Sequence, residues 1–296
     1  MKISTGLQLG LLTLGFGLAG LLPQRQAEAS QGFAIQSDIP YGTDERQRFD
    51  VYGAGRGHAA PVILLAHGGG WAHGDKAARA VVRNKVARWV PRGLILVSIN
   101  YRLLPDAGPL EQAGDVALAL GKAQALAEAW GGDPNRFILV GHSAGAHLVA
   151  LLAASPDLAL KQGARPWLGT VVLDSAAFDI APIMQTRHPR LYDRAFGQDP
   201  AYWRAASPLQ VLKRGGTPLL AVCSIRRDDS CPQARAFAAQ AARLGRSVQV
   251  LEQDLSHRAI NQDLGLPGDY TEQVESFLRR LDPSLEALLT EPYALR

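Results

Sequence analysis

The sequence predicts one doubly wound, mostly parallel α/β domain, because short apolar runs alternate with longer segments of helical spacing. The runs are continuously apolar, which is typical of strands in a parallel sheet that helices cover on both faces. The predicted strands are 62–66, 94–97, 137–140, 170–173, 218–223 and 247–251. The predicted helices are 75–90, 110–129, 146–153, 232–244 and 271–281. Residues 33–52 are expected to add one or two antiparallel edge strands.

The composition excludes several classes of protein. Of the 296 residues, 47% are hydrophobic and 20% are charged, which indicates a folded chain rather than a disordered one. Lys and Arg number 31 against 27 Asp and Glu, and a net charge of +4 is too small to indicate a nucleic-acid partner. Two cysteines cannot form a four-cysteine zinc site, and no His and carboxylate pair has ligand spacing, so we expect no metal.

The first 29 residues are predicted to be a secretory signal peptide. Lys2 precedes an uncharged apolar stretch, 7–22, and Ala-Glu-Ala at 27–29 matches a cleavage site. The stretch is short and glycine-rich for an uncleaved anchor helix, and no later segment could span a bilayer. We therefore expect a mature chain, 30–296, in the periplasm or the medium, with no stable membrane association.

Residues 176–214 interrupt the alternation of strands and helices. They hold aromatic, proline and charged residues without a single period. An insertion after the carboxyl end of a strand lies where open α/β sheets bind ligands. The segment is therefore either a small cap over a site or a plain surface excursion, and the sequence leaves both open.

Residues 141–145, Gly-His-Ser-Ala-Gly, lie between the predicted strand 137–140 and the predicted helix 146–153. In such a G-x-S-x-G turn the serine hydroxyl is exposed, and the helix N-terminus places a positive dipole end beside it. About 0.1 such motifs are expected by chance in a chain of this composition. The context of strand and helix therefore predicts that Ser143 is a nucleophile.

Residues 67–71, His-Gly-Gly-Gly-Trp, follow directly on the predicted strand 62–66. Successive glycines leave backbone N–H groups accessible to a bound group, as an oxyanion hole requires. A phosphate-binding loop is the alternative, but the sequence has neither a G-x-G-x-x-G nor a Walker pattern. Gly69, Gly70 and Ala144 are the predicted oxyanion donors.

With these two motifs in this order, the sequence resembles the α/β-hydrolase family, and within it the hormone-sensitive-lipase-like esterases. Segments 100–103, 133–136 and 206–209 also look like segments of that family. The 67–71 loop is similar to those of kynurenine-formamidase-like and feruloyl/acetylxylan-esterase-like members. The resemblance covers nearly all of 30–296 and implies an eight-stranded, mostly parallel sheet and no cofactor.

The chain order serine, acid, histidine, which the resemblance implies, selects the base. Of seven histidines, only His188 and His257 follow Ser143 by more than a few residues. His188 lies in the irregular segment, whereas His257 follows the last predicted strand in a loop before the final helix. His257 is therefore the predicted base.

The acid is expected in the loop after the predicted strand 218–223. In the family the acid precedes a hydrophobic-Pro step, which Cys231-Pro232 resembles, and the usual spacing implies Asp228. The loop is longer than in the family, so its neighbour Asp229 is the second candidate. Two aspartates outside the loop are less expected, namely Asp254, which we interpret as a solvated loop carboxylate, and Asp174, at the end of the preceding strand.

These residues predict a serine carboxylesterase that cleaves small or medium esters through an acyl-enzyme intermediate, with a small-molecule ester as its partner. An arylformamidase-like amide hydrolase, suggested by Trp71 after the glycines, and an acyltransferase are the enzymatic alternatives. A non-catalytic binding protein of the same fold is an alternative of another class. The presence of Ser143, His257 and a nearby aspartate argues against it.

Aromatic residues are expected to line the substrate pocket. Trp71 follows the glycine loop, and Phe178, Tyr192 and Trp203 lie in 176–214. The alternative is that these aromatic side chains only pack the segment onto the domain.

Cys223 and Cys231 are the two cysteines of the chain and flank the loop that holds Asp228. In an oxidising compartment such a pair tends to be bonded, so we expect a disulfide. The alternative is a buried thiol at Cys223 and an unrelated loop cysteine. A bridge would fix the acid loop and, through it, the orientation of His257.

Overall fold

Eight strands form one sheet within residues 35–53, 55 and 59–290, which with Met1 are the residues that the computed structural model describes. The predicted signal peptide lies outside the described residues, apart from Met1. The strands are β1 (Ile35–Pro40), β2 (Arg48–Tyr52), β3 (Ala60–Ala66), β4 (Ile95–Ile99), β5 (Gly132–His142), β6 (Gly169–Leu173), β7 (Leu219–Ser224) and β8 (Val248–Gln253).

The strand order across the sheet is β1–β2–β4–β3–β5–β6–β7–β8. The pairs β1–β2 and β2–β4 are antiparallel, and all the other neighbouring strands are parallel. The prediction of an eight-stranded, mostly parallel sheet with antiparallel strands from 33–52 at one edge is therefore confirmed. Because β3, β5, β6 and β7 are parallel neighbours, their carboxyl ends meet at one edge of the sheet.

Helices cover both faces of this sheet. In the part of the chain that is described they are α1 (Arg79–Trp89), α2 (Pro109–Leu126), α3 (Ala144–Ala154), α4 (Asp157–Leu160), α5 (Ile180–Met184), α6 (Arg190–Phe196), α7 (Pro200–Ala205), α8 (Ser230–Arg243), α9 (His257–Gln262), α10 (Asp269–Arg279) and α11 (Pro283–Thr290). None of these described helices is long and apolar enough to cross a membrane.

Two helix predictions differ from the structure. The helix predicted over 75–90 begins only at Arg79, because the backbone of Ala78 is extended, with φ −56° and ψ 125°. The segment predicted as the final helix, 271–281, is α10, and a further helix, α11, follows it.

The burial of β3 on both faces explains why its sequence is continuously apolar. Val62 and Leu64 pack into the core on one face of the sheet, whereas Ile63 and Leu65 pack into the core on the other face. All four side chains are fully buried. Alternate residues of a strand point to opposite faces, so a strand covered on both sides needs apolar side chains throughout.

The turn from β5 into α3 depends on two glycines. A Cβ atom on Gly145 would lie 2.3 Å from the carbonyl oxygen of Ala66, in the neighbouring strand β3. A Cβ atom on Gly141 would lie 2.3 Å from the carbonyl oxygen of Gly145. Helix α3, in which every residue is buried, can therefore begin directly against the sheet only because these positions lack side chains.

We predict that Gly145→Ala lowers the free energy of unfolding by about 1–3 kcal/mol, because the added methyl group must push α3 away from β3. Gly114→Ala is the matched control, since Gly114 lies inside α2 and a Cβ there would meet nothing within 4 Å. That change should stabilise the protein by about 0.5–1 kcal/mol. Urea denaturation measures the free energy of unfolding of both variants. Equal stability of Gly145→Ala and wild type would contradict the packing argument.

Candidate active site

Ser143 occupies the sharp turn between β5, which ends at His142, and α3, which begins at Ala144. Its backbone has φ 55° and ψ −116°, a left-handed conformation that is strained for a residue with a side chain. Its N–H donates a 2.9 Å hydrogen bond to the carbonyl oxygen of Leu173, the last residue of β6. The neighbouring strand therefore holds the turn at the carboxyl edge of the sheet.

His257 lies at the same edge, as the first residue of the short helix α9 rather than in a loop. The hydroxyl of Ser256 caps this helix by accepting from the N–H of Ala259. The Nδ1 atom of His257 lies 2.5 Å from Oδ2 of Asp174. In this pair Nδ1 donates to the carboxylate, which leaves Nε2 of the neutral ring as a proton acceptor.

The prediction that Asp228 is the carboxylate partner of His257 is wrong, because Asp174 occupies that place. Asp228 is exposed on the loop between β7 and α8. Its neighbour Asp229 pairs with Arg227, at 3.1 Å. The spacing to Cys231-Pro232 placed the acid in the β7–α8 loop, but that loop surrounds the acid instead of carrying it.

Asp254 is also apart from the site, as expected. Its side chain is 72% exposed and pairs at 2.6 Å with Arg226 on the surface. Asp174, which the sequence offered only as an outside candidate, follows directly on β6, whose carboxyl end lies between the ends of β5 and β7. The position of Asp174 at the carboxyl end of a central strand was the signal that could have identified it. The spacing in the resembled family favoured Asp228 instead.

Asp174 is fully buried, and donors from the β7–α8 loop satisfy its carboxylate. Oδ1 accepts from the N–H of Ser224 at 2.8 Å and from the hydroxyl of Ser230. Oδ2 accepts from His257 and, at 3.0 Å, from Nη1 of Arg227. Burial alone would raise the pKa of Asp174, but these hydrogen bonds and the Arg227 charge hold that pKa well below its usual range.

A disulfide joins Cys223 to Cys231, which confirms the predicted bond. Cys223 belongs to β7 and Cys231 to the first turn of α8, and their Cα atoms are 5.1 Å apart. The bridge closes the loop that supplies three of the donors to Asp174. It therefore constrains the residues around the acid, although the acid itself lies outside the closed loop.

The glycine loop lies against the nucleophile. Gly70 and Ala144 line the same cavity as Ser143, and the N–H of Ala144, at the start of α3, has no intrahelical acceptor. Gly69 has φ 131°, and its carbonyl oxygen accepts from the N–H of His73 at 3.0 Å, so it forms the tight turn of the loop. Of the predicted oxyanion donors, Gly70 and Ala144 face this cavity, whereas Gly69 lines a second cavity beside it.

The first cavity has a volume of about 290 Å³ and lies under α6, which contributes Leu191 and Tyr192 to its lining. Trp71 also lines it, as expected. The second cavity, of about 440 Å³, contains Ser143 and His257 as well, and α9 forms part of its wall. Ser143 and His257 therefore have open space on two sides.

Two of the four aromatic residues expected in the pocket are elsewhere. Phe178 is buried and stacks on Phe237, with ring centroids 4.8 Å apart. Trp203 donates from its indole N–H to the carbonyl oxygen of Phe196, at 3.1 Å. For these two residues the alternative interpretation, that they pack the 176–214 segment onto the domain, is the one that the structure supports.

His147 fixes the orientation of the Trp71 indole. Its Nδ1 accepts from the indole N–H at 3.2 Å, and its Nε2 donates to the carbonyl oxygen of Ala206 at 2.7 Å. Burial lowers the pKa of His147 to about 4, so the ring is neutral near pH 7 and keeps this tautomer. The glycine loop, α3 and the 176–214 segment are thereby connected by one side chain.

His142, beside Ser143, supports His257. Its ring lies against that of His257, with centroids 4.5 Å apart, and its Nε2 is 3.0 Å from the carbonyl oxygen of His257. Burial, together with the nearby His257, lowers the pKa of His142 to about 3. It is therefore neutral and donates to the first residue of α9.

The sheet order, the strained serine turn and the Asp174–His257 pair beside it define an α/β-hydrolase fold with a serine site. The chain belongs to the BD-FAE family, whose family model matches residues 49–236. Among the described residues no group of three or more His, Cys, Asp or Glu side chains is arranged to hold a metal ion.

Curated relatives include two esterases of Mycobacterium tuberculosis. The chain is 29% identical to esterase LipC over 71% of this chain and 55% of the relative. It is 31% identical to esterase LipQ over 70% of this chain and 52% of the relative. The chain thus spans about half the length of the curated relatives that it matches.

The fold is also found among solved structures. Esterase B from Lactobacillus rhamnosis superposes with a TM-score of 0.68, over 86% of this chain and 87% of that chain. The sequence identity is 19%, so this likeness supports the fold alone.

We predict that Asp174→Asn lowers kcat about 10⁴-fold, because an amide neither holds the Nδ1–H tautomer of His257 nor stabilises the imidazolium. Asp228→Asn is the matched control and should stay within about twofold of wild type, since Asp228 is exposed. Steady-state hydrolysis of an activated ester measures both variants. A larger loss in Asp228→Asn than in Asp174→Asn would contradict the assignment.

We predict that reduction of Cys223–Cys231 lowers kcat and destabilises the protein by about 2.5 kcal/mol, less any strain released. The catalytic loss follows because the freed loop holds Asp174 less firmly. Activity and thermal unfolding are measured before and after reduction. The double variant Cys223→Ala/Cys231→Ala is the control and should not respond to the reductant, and an unchanged kcat of reduced wild-type protein would refute the positional role.

Proposed function

We propose that the protein is a serine carboxylesterase that cleaves small or medium esters. The observation that carries the proposal is the pair of buried Asp174 and half-buried His257, 2.5 Å apart, at the edge of the sheet where Ser143 occupies its strained turn. The names of the relatives support it, because LipC and LipQ are both esterases. A binding protein without catalysis would not require these three groups together.

In the proposed first step Ser143 attacks the ester carbonyl carbon. The proton of its hydroxyl moves to Nε2 of His257, while Asp174 holds Nδ1–H and stabilises the imidazolium. The carbonyl oxygen becomes an oxyanion, and the N–H groups of Gly70 and Ala144, with Gly69 beside them, are its proposed donors. The α3 N-terminus adds its dipole to this stabilisation.

In the proposed second step the tetrahedral intermediate collapses. The bond to the alcohol oxygen breaks, His257 protonates that oxygen, and the acyl group remains on Ser143. A water molecule then gives a proton to Nε2 and attacks the acyl carbon, which forms a second tetrahedral intermediate. When this intermediate collapses, the bond from the acyl carbon to Oγ of Ser143 breaks, His257 returns the proton to Oγ, and the carboxylic acid leaves. The triad returns to its starting protonation state, so no cofactor is consumed.

The proposed substrate is limited by the cavity under α6. Trp71, Leu191 and Tyr192 provide apolar surface for one limb of the ester, within about 290 Å³. Helices α5 to α7 of the 176–214 segment would then act as a cap. The second cavity, which is lined by backbone of the glycine loop and by polar residues of α9, would accept the other limb.

We also propose that the mature chain acts in the periplasm or the medium. The predicted signal peptide supports this location, as does the Cys223–Cys231 disulfide, because such bonds persist in oxidising compartments.

The test is hydrolysis of p-nitrophenyl esters of increasing acyl length, together with labelling by an organophosphonate. We predict turnover of short and medium esters and one phosphonate adduct, which peptide mapping places on Ser143. Ser143→Ala should be folded, unlabelled and below about a hundredth of wild-type kcat. Ser155→Ala, at the other end of α3, is the control and should be labelled and active.

An absence of both labelling and ester hydrolysis in the wild-type protein would refute the proposal. Hydrolysis of N-formylkynurenine in preference to every ester would replace it with an amide-hydrolase function.

A further inference from the structure

Arg227 reaches the catalytic pair from the disulfide-closed loop. Its Nη1 lies 3.0 Å from Oδ2 of Asp174 and 2.9 Å from Nδ1 of His257. Its Nη2 pairs with Asp229, whose side chain is 57% exposed. The guanidinium also lines the cavity that contains Ser143. A cation thus lies beside both the acid and the base, although a triad does not require a third charged group there.

The contacts of Arg227 fix Asp174 at two points. Nη1 donates to the carboxylate and, at 3.2 Å, to the main-chain carbonyl oxygen of the same residue. Asp174 has φ 55°, a left-handed conformation that is unfavourable for an aspartate without support. Arg227 therefore holds both the strained backbone and the side chain that it presents to His257.

The charges around Arg227 argue against a primary role in binding an anionic substrate. Asp174 and Asp229 each pair with the guanidinium, so its charge is already balanced by two carboxylates. Hydrogen bonds from His257, Ser230 and Ser224, together with the charge of Arg227, hold the pKa of Asp174 low against the effect of burial. The position of Arg227 therefore favours an ionised Asp174 before substrate binds.

We propose, on the basis of the proposed esterase function, that Arg227 is a positioning residue that holds Asp174 in the orientation in which it accepts from His257. The rigid fork of the guanidinium suits this role, because it can bond Asp174 and Asp229 at the same time. A lysine would supply the charge but not the two-point contact.

The split between kcat and KM should carry the signature of this role. Arg227 lies within 3.0 Å of both Asp174 and His257. A residue that acts through these two groups should lower kcat when it is removed and leave KM nearly unchanged.

The experiment compares Arg227→Ala, Arg227→Lys and wild type on neutral p-nitrophenyl esters and on an ester that carries a carboxylate. We expect Arg227→Ala to lower kcat about 10²-fold with KM within about twofold for both substrates. Arg227→Lys should recover kcat only in part, because a lysine lacks the two-point contact. Added guanidinium ion, well below denaturing concentrations, should raise kcat of Arg227→Ala.

Arg226→Ala is the matched control, because Arg226 is the neighbouring residue of the same loop and pairs with Asp254 on the surface. It should keep wild-type kcat and should not respond to guanidinium ion. If Arg227→Ala does not fold, Arg227→Lys still tests the proposal through its lowered kcat.

Wild-type kcat in both Arg227 variants would overturn the proposal. A rise in KM confined to the carboxylate-bearing ester would overturn it too, since Arg227 would then be a ligand of the substrate. Both results require an active wild-type enzyme, so they are distinct from failure of the proposed function, in which wild type neither hydrolyses esters nor reacts with the phosphonate.

Discussion

The buried charge of Asp174 is the constraint on which the arrangement of the site depends. A carboxylate removed from water costs several kcal/mol unless it is paired and hydrogen-bonded. Asp174 is fully buried, and its oxygens accept from Ser224, Ser230, Arg227 and His257. These donors come from the segment 224–230, between β7 and α8, and from α9, so the acid is satisfied only when these two parts of the chain have assembled around the end of β6.

The same assembly holds the nucleophile and the loop beside it. Ser143 donates from its N–H to Leu173, the residue before Asp174, so the strained turn and the acid share one strand end. His147 lies one turn along α3 and accepts a hydrogen bond from the Trp71 indole. Burial lowers the pKa of His147 to about 4, so its ring is neutral near pH 7. The positions of serine, acid and glycine loop are thus set by neighbouring backbone and by neutral buried side chains.

The sequence predicts the fold and two members of the site well, because these rest on local patterns. Continuous apolar runs predict the six strands β3 to β8, and the two glycine-containing motifs predict where Ser143 and the 67–71 loop lie. His257 follows from chain order. The predicted disulfide is present because its two cysteines flank one short loop.

The acid could not be predicted in the same way, because its role depends on contacts between distant parts of the chain. Asp174 and His257 are 83 residues apart in the sequence, and Arg227 lies between them. Spacing within the β7–α8 loop cannot show whether the loop carries the acid or encloses it. The aromatic residues illustrate the same limit, since Tyr192 lines the cavity whereas Phe178 packs inward on Phe237.

Proton NMR of the phosphonate-inhibited enzyme tests most directly the central claim that Asp174 holds the Nδ1 proton of His257. In that adduct His257 is protonated, and a strong hydrogen bond from Nδ1 to a buried carboxylate shifts the shared proton far downfield. The account predicts a far-downfield resonance that persists in Asp228→Asn and disappears in Asp174→Asn. Persistence of the resonance in Asp174→Asn, or its loss in Asp228→Asn, would contradict the account.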